Sequence, residues 1–432
     1  MRRPHIRDMN TLTIAVCTAS LLGIVIIGWT TDRAATVTLR KSEGIPPARL
    51  AAQGKKVPPI IKCRETPIHV SPRTDLGHLV SDDDLEALLC NAVPVWDPPS
   101  VPSLIHELLL WGQHGDFTDE ILPGKSKYRP FKSFVVKTLL DYKLCSANTS
   151  GKDDDYLYDT PYGIRVALVG SREAPGDRAQ GHYGQLLKVL GEAGVTSGSP
   201  VRTSSGRIGT VADIIQDSVL RFSLTEELEF IGNALALWLP PQKSWQNEFG
   251  IRYDFDQLAE ALIAKPFGQG SCKGCHVPYT LVLLLRVDET HSILTGRVRQ
   301  KSLNWLKALS RLLEERQRSE GGWDESSLEI ERNPHLHRDE LLDYLTITGH
   351  HLEWMSMAPE NIRPSDKTID RAIHGLVKST RDYLATSRYF KVLLPASHAA
   401  RAACLMRDVD PFSFFVRARK SGRVRAIESF IR

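Results

Sequence analysis

Residues 302–323, SLNWLKALSRLLEERQRSEGGW, carry the strongest structural signal in the chain. Their large apolar residues recur every three to four positions and so share one face of a helix, the residues being Trp305, Leu309, Leu312 and Leu313. Gly321 then permits a turn before Trp323. Comparable helical patterns recur at intervals of about 20 to 40 residues. The sequence therefore predicts a mostly all-α fold of paired helices.

The same stretch resembles the QW motif of squalene–hopene cyclases and related terpene cyclases. The glutamine, glycine and tryptophan of that motif correspond to Gln317, Gly321 and Trp323. In the family such motifs tie neighbouring helices of an α/α barrel together, so the resemblance implies an α/α toroid. We expect Gln317 to bond backbone groups left open at the end of its helix and Trp323 to pack on its amide. The acidic DxDD-type motif of the cyclases has no counterpart here, so cyclase activity is not expected.

A second segment, Gly349-His350-His351-Leu352-Glu353-Trp354, is similar to the GHxxEW segment of N-acylglucosamine 2-epimerases and cellobiose epimerases, which also form an α/α barrel. His398 begins an HxxR pattern that is similar to one near the end of those enzymes. The resemblance implies that His350 and Glu353 point into a central cavity, with His398 as a further candidate for proton transfer. The alternative is that these are polar residues at a helix start that satisfy backbone groups.

The third pattern, Cys272-Lys273-Gly274-Cys275-His276, is the attachment signature of c-type haem. In that interpretation Cys272 and Cys275 form thioethers and His276 ligates the iron. Two other interpretations use the same residues. One is a zinc site with His350 as a third ligand, and the other is a structural or disulfide-linked turn. The sequence leaves these three interpretations open.

The N-terminal region predicts a membrane anchor. No charged residue occurs between Met9 and Thr31, and residues 11–29 are apolar over nearly the length that a transmembrane helix needs. The bulky end of this run favours an uncleaved anchor over a cleaved signal peptide. Residues 1–10 are basic and form the predicted cytoplasmic stub, so the bulk of the chain is expected outside the cytoplasm as a single-pass membrane protein.

The rest of the chain divides by composition. Residues 30–78 are rich in proline and predict a tether. Residues 79–410 carry the helical patterns of the toroid domain, with an irregular insert at about 146–181. Within that insert, residues 164–169 predict a strand. Residues 411–432 form a basic C-terminal tail with aromatic residues near its start.

The composition and net charge of the chain limit the classes of partner that it can bind. Apolar residues make up 42% of the chain, which suits a globular body, and the net charge of +4 is too small for an obligate nucleic-acid binder. Six cysteines lie outside the predicted anchor. Those outside the CxxCH motif are expected either to form two disulfides or to remain isolated thiols; they are Cys63, Cys90, Cys145 and Cys404.

These observations predict a membrane-anchored α/α toroid that binds a small molecule, carbohydrate or lipid, or serves as a scaffold. The alternative function is a membrane-tethered c-type cytochrome with one haem at Cys272, Cys275 and His276. A third is an epimerase-like sugar enzyme. Whether the chain is an enzyme stays open at the level of sequence.

Overall fold

The computed structural model describes residues 60–93, 99–115, 117, 135–150, 154–241, 244–328, 340–385 and 393–421. The described residues are mostly helical, which confirms the all-α class. The predicted anchor at 11–29 lies outside them. Among the helices that are described, none combines the length and the apolar character needed to cross a membrane.

Helices make up most of the described residues. In chain order they are α1 (Asp82–Asn91), α2 (Val101–Trp111), α3 (Val135–Leu140), α4 (Tyr142–Asn148), α5 (Gln185–Glu192), α6 (Val211–Arg221), α7 (Leu228–Trp238), α8 (Phe255–Ile263), α9 (His276–His291), α10 (Gly296–Glu315), α11 (Glu340–Met357), α12 (Asp366–Ala385), α13 (Leu393–Arg407) and α14 (Pro411–Lys420).

Short antiparallel hairpins lie between some of the helices, and they pair β1 (Leu157–Thr160) with β2 (Gly163–Val166), β3 (Pro200–Arg202) with β4 (Ile208–Thr210), and β5 (Trp245–Gln246) with β6 (Arg252–Tyr253). The strand predicted at 164–169 corresponds to β2, which ends at Val166. The other two hairpins have strands of two or three residues. Such strands are too short to produce a readable alternation of apolar and polar residues.

Six of the described helices pack against one another in a closed cycle. Helix α2 packs on α5, α5 on α7, α7 on α9, α9 on α11, α11 on α13, and α13 on α2 again. Between them in sequence lie helices that pack on members of the cycle, such as α8 on α7 and α9, α10 on α9, and α12 on α11. Every residue of α7 is buried, whereas α10 buries one face only. This difference is the one expected for helices enclosed on all sides and helices that face solvent.

The turn after α10 links this helix to its neighbour. The Gln317 side-chain amide donates to the Thr368 carbonyl oxygen in the first turn of α12, at 2.7 Å. The indole N–H of Trp323, a fully buried residue, donates to the Leu313 carbonyl oxygen in the last turn of α10, at 2.8 Å. The two side chains therefore act differently from our expectation: the indole satisfies the end of α10, and the amide joins α10 to α12.

Two further expectations concern the cysteines and the tail. The six described cysteines form no disulfides with one another, so the structure favours isolated thiols over two disulfides. The first ten residues of the predicted tail form α14. Its Phe415 is buried and packs edge-on against Trp111 of α2, with ring centroids 5.6 Å apart. Residues 422–432 lie outside the described residues.

We expect Gly321→Ala to destabilise the protein. Gly321 has φ +91°, a left-handed conformation, and an added Cβ would overlap the backbone oxygen of Arg371. Holding a non-glycine residue in such a conformation costs about 1–3 kcal/mol, and the overlap adds to it. The measurement is the free energy of unfolding in urea. Gly296→Ala is the matched control, because a Cβ there meets nothing within 4 Å. Equal stability of the two variants would contradict the prediction.

Candidate metal centre

The CxxCH segment forms a tight turn at the start of α9. Cys272, Lys273 and Gly274 have φ values of 48°, 55° and 76°, three left-handed residues in succession. The first two have side chains, and each such residue costs roughly 1–2 kcal/mol. The turn leaves His276 as the first residue of α9, a position where its side chain is buried. Strain of this kind is typical of functional sites.

The turn meets α11 at a cluster of metal-ligand atoms. In the described part of the chain, one group of three side chains has the arrangement that can hold a metal ion: Cys272, His276 and His350, with ligand atoms all within 4.8 Å of one another. The Nε2 atoms of His276 and His350 face each other at 3.1 Å. Two imidazole ligands of a tetrahedral zinc ion have their nitrogens about 3.3 Å apart, given zinc–nitrogen distances of about 2.0 Å. The observed spacing is close to that value.

The hydrogen bonds of the His350 ring fix which nitrogen is free. Its Nδ1 lies 2.6 Å from the Thr346 carbonyl oxygen, which can only accept, so Nδ1 carries the proton. In the neutral ring Nε2 therefore presents a lone pair towards His276. A metal-bound histidine characteristically donates its second ring N–H to a carbonyl or carboxylate in this way.

Two histidines, His350 and His182, interact with the thiol of Cys272. Burial opposes its ionisation, but His350 and His182 outweigh that effect and lower the pKa of Cys272 to about 6. The same contacts act in the other direction on His182. Burial disfavours its charge, yet Cys272 and Glu227 raise the pKa of His182 to about 10, and Glu227 Oε1 accepts from its Nδ1 at 2.8 Å. The Cys272 thiolate, the form that binds metals, is thus favoured at neutral pH.

Cys275 has a different environment from Cys272. Its side chain is buried, and its Sγ lies 3.7 Å from Nε2 of His351. The His351 Nδ1 accepts from the indole of Trp354 at 3.2 Å, so Nε2 carries the proton and points it at the sulfur. Burial raises the pKa of Cys275 well above its ordinary value. Cys275 therefore behaves as a neutral thiol beside the candidate metal centre, outside its set of ligand atoms.

The surroundings of His276 do not fit a haem. Its ring centroid lies 4.4 Å from that of Phe230, 4.6 Å from that of His350 and 6.3 Å from that of His398. A porphyrin plane at its Nε2 would need the volume that these packed rings fill. A single ion needs only the space between the nitrogens and the sulfur.

His350, Glu353 and His398 come together, but not at a helix start. Helix α11 begins at Glu340, so His350 and Glu353 lie in its interior, and the expectation of a helix-start position is wrong. Glu353 Oε1 accepts from Nδ1 of His398 on α13 at 3.0 Å. The His398 ring lies against that of His350, with centroids 3.7 Å apart. The two resembling segments thus meet in one buried cluster.

A layer of buried charges lies beside this cluster. Arg401 Nη1 lies 3.2 Å from Glu353, and its Nη2 donates to Glu192 at 3.0 Å and to the Tyr279 hydroxyl at 2.8 Å. The charged side chains around the site form three charge pairs, which are Lys188 with Glu192, Arg401 with Glu353, and His182 with Glu227. Each pair is neutral overall, as burial of charge requires.

A pocket of about 310 Å³ reaches this layer from the opposite side. Its walls are mostly aliphatic, and Glu192, Tyr279 and Arg401 supply polar groups. Leu283 on α9, Met357 on α11 and Cys404 on α13 also line it. The pocket therefore lies along the same three helices that carry the metal-ligand cluster, one to two turns further on.

The sequence identified Cys272, Cys275, His276, His350, Glu353 and His398, and the structure places all six side chains in one region. Arg401 is the arginine of the HxxR pattern, but no role in the site was predicted for it. His182, Lys188, Glu192 and Glu227 were not identified; each is a single charged residue within an ordinary helical or loop pattern, so no local signal marks it. Their roles come from contacts with residues far away in the sequence.

Comparison of the chain with protein-family models, with curated proteins and with solved structures finds no match.

We expect iodoacetamide to alkylate Cys272 of the metal-free protein ahead of Cys63 and Cys90 at pH 7. These two thiols are also partly exposed, but burial raises the pKa of Cys63 and raises that of Cys90 to about 12. Because thiolate is the reactive form, the rate at Cys272 should be level above about pH 7 and fall as pH drops through about 6. Peptide mapping by mass spectrometry after timed labelling measures each rate. A midpoint above pH 8 at Cys272 would contradict the prediction.

Proposed function

We propose that the chain is a metal-binding protein whose ion is held by Cys272, His276 and His350. The observation that carries the proposal is the convergence of three ligand atoms within 4.8 Å of one another, with two imidazole nitrogens face to face. One thiolate and two imidazoles are a ligand set that suits Zn²⁺. The second histidine nitrogen of His350 is already occupied by a backbone carbonyl, as expected for a site built to bind an ion.

The helical cycle supports an α/α toroid around this site. Six helices pack in a closed ring, and the helices between them in sequence pack on its members. The buried polar cluster draws side chains from several members of the ring, among them Lys188 on α5, His276 on α9, His350 on α11 and His398 on α13. The resemblances to squalene–hopene cyclases and to epimerases imply the same architecture. We therefore place the metal inside the toroid, where such proteins would hold a ligand.

Three protein ligands leave one position of a tetrahedral ion open. Structural zinc sites use four protein ligands, whereas sites that bind or activate a small molecule keep a fourth position for it. In this proposal, the metal ion is the place at which the predicted toroid binds its ligand. The predicted anchor at 11–29 would hold that centre outside the cytoplasm, at a membrane.

We expect the purified full-length protein to contain about one zinc ion per chain. Cys272→Ser and His350→Ala should each lower the zinc content several-fold, because each removes one ligand. Cys275→Ala is the matched control: it changes the other cysteine of the motif, whose sulfur lies outside the ligand set, and should leave the zinc content unchanged. Elemental analysis after dialysis against a weak chelator measures all four proteins.

The same samples test the cytochrome alternative. A c-type haem would give a pyridine haemochrome spectrum, and either Cys272→Ser or Cys275→Ala would remove one of its covalent attachments. Zinc-containing, colourless protein that tolerates Cys275→Ala supports the metal centre. Covalently bound haem, or protein that contains no metal after reconstitution with Zn²⁺, would refute it.

A further inference from the structure

The pocket of about 310 Å³ lies where the C-terminal ends of five ring helices meet. Each of these helices lines the pocket with at least one residue of its last turn, and these residues are Leu108 on α2, Glu192 on α5, Leu237 on α7, Met357 on α11 and Leu405 on α13. The sixth ring helix, α9, contributes Tyr279 and Leu283 from its first half. Five helices therefore direct their backbone carbonyl groups towards this pocket.

Aligned peptide dipoles make the surroundings of the pocket electronegative. Each helix C-terminus carries about half a negative elementary charge, so a cation near it is favoured. Five such ends act on one concave space with mostly aliphatic walls, which screen the charges less than open solvent does. The N-terminus of α14 supplies an opposing positive end, because its first residue, Pro411, also lines the pocket. Together the dipoles leave an excess of negative potential.

The charged side chains at the base of the pocket balance one another. Arg401 donates to Glu192 at 3.0 Å and lies 3.2 Å from Glu353, and Lys188 lies 3.2 Å from Glu192. Among the described residues, these two cations and two carboxylates sum to zero charge. An anionic ligand would have to displace a carboxylate from Arg401, so the base offers no ready site for an anion.

Two exposed carboxylates at the rim, those of Asp408 and Asp410, add negative charge. Asp410 caps α14, so the positive end of that helix offsets part of its charge. Asp408 follows the C-terminus of α13, where a negative charge is unfavourable, and the adjacent Arg407 pairs with Asp82 at 2.7 Å. Counted with His69 neutral, the described side chains that line the pocket carry one positive and three negative charges. A cation at the rim would relieve this imbalance.

The walls and the size of the pocket suit a short hydrocarbon chain. Leu108, Leu237 and Leu283 are buried side chains of the wall. At about 30 Å³ for each non-hydrogen atom, the volume has room for about ten such atoms. Contact between methylene groups and these leucines removes apolar surface of both from water. The pocket therefore suits a ligand with one aliphatic part and one positive group.

We propose that this pocket binds an aliphatic organic cation, an alkylammonium ion being the simplest member of the class. Its hydrocarbon chain lies against the leucine walls, and its ammonium group lies at the rim beside Asp408. The negative helix ends and the rim carboxylates select the positive charge, and the apolar walls select the chain. This site is separate from the proposed metal centre, so the inference does not depend on a bound metal ion.

The test uses full-length protein in lipid nanodiscs and isothermal titration calorimetry. The probes are n-hexylammonium, n-hexanol and hexanoate, which have the same chain length and differ in charge. We expect hexylammonium to bind most tightly and hexanoate about tenfold more weakly or worse, because like charges oppose its binding. Titration of protein-free nanodiscs measures partition into lipid and is subtracted. The affinities should be the same before and after removal of metal with a chelator.

Asp408→Asn should weaken hexylammonium binding about two- to fivefold, the range for an exposed ion pair, and leave hexanol binding unchanged. Asp382→Asn is the matched control. It removes the charge of an exposed carboxylate on α12, outside the lining of the pocket, and should bind every probe as the parent does.

Two further variants fill the pocket. Leu109→Trp and Leu405→Trp each place an indole on a half-buried position of the wall, one on α2 and one on α13. Each should weaken all three probes about tenfold or more, because the ring takes volume that the chain needs. The thermal unfolding midpoint of each variant is measured, and the two positions on different helices separate blocking of the pocket from a folding defect.

Four results would overturn the inference. Absence of hexylammonium binding by the parent at millimolar concentration would mean that the pocket is not a site for such cations. Hexanoate binding as tight as that of hexylammonium would mean that the helix ends and carboxylates do not select the ligand. Binding of the probes by both tryptophan variants as tight as by the parent would place the site elsewhere. Equal affinity of Asp408→Asn and the parent for hexylammonium would remove the ammonium group from the rim.

Discussion

Burial of ionisable side chains among packed helices is the constraint on which the rest of this structure depends. The interior contains two cations on α5 and α13, carboxylates on α5 and α11, and several histidines, nearly all of them out of contact with water. Each charge has an opposite charge within salt-bridge distance. Apolar residues would fill this space at lower cost, since buried ion pairs contribute little net stability. Their retention is therefore best explained by what the cluster binds.

The turn that contains Cys272 is also unfavourable for stability, and it forms part of the candidate site. Three successive left-handed residues bring the Cys272 thiol back over the first residue of α9. The turn is held from outside by contacts such as that of Lys273 with Glu325, 3.6 Å apart. The local cost is consistent with the proposed metal centre, because the turn holds the candidate ligand atoms close together.

The resemblances found in the sequence indicated which residues lie close together, but they did not give all the contacts that these residues make. The segment containing His350 and Glu353 and the one containing His398 do meet, as the likeness to epimerases implies, because α11 and α13 pack against each other over much of their length. Gln317 bonds the backbone of α12 instead of the end of its own helix. Trp323, which was expected to pack on the Gln317 amide, bonds the end of α10. The CxxCH pattern suggested two equivalent cysteines. Burial and the position of His351 separate them into one ionisable thiol and one neutral thiol.

By itself the sequence determined the helices, because apolar periodicity, capping residues and glycine turns are local properties. The one-sided apolar face of α10 follows from them, with Gly321 required where φ is positive. It also determined which residue types were available for chemistry. Only the tertiary structure decided that His276 and His350, 74 residues apart, present facing nitrogens, and that Glu353 orients His398. Those relations depend on how helices pack across the ring, and helix packing is set by the sum of many weak contacts that no single stretch of sequence contains.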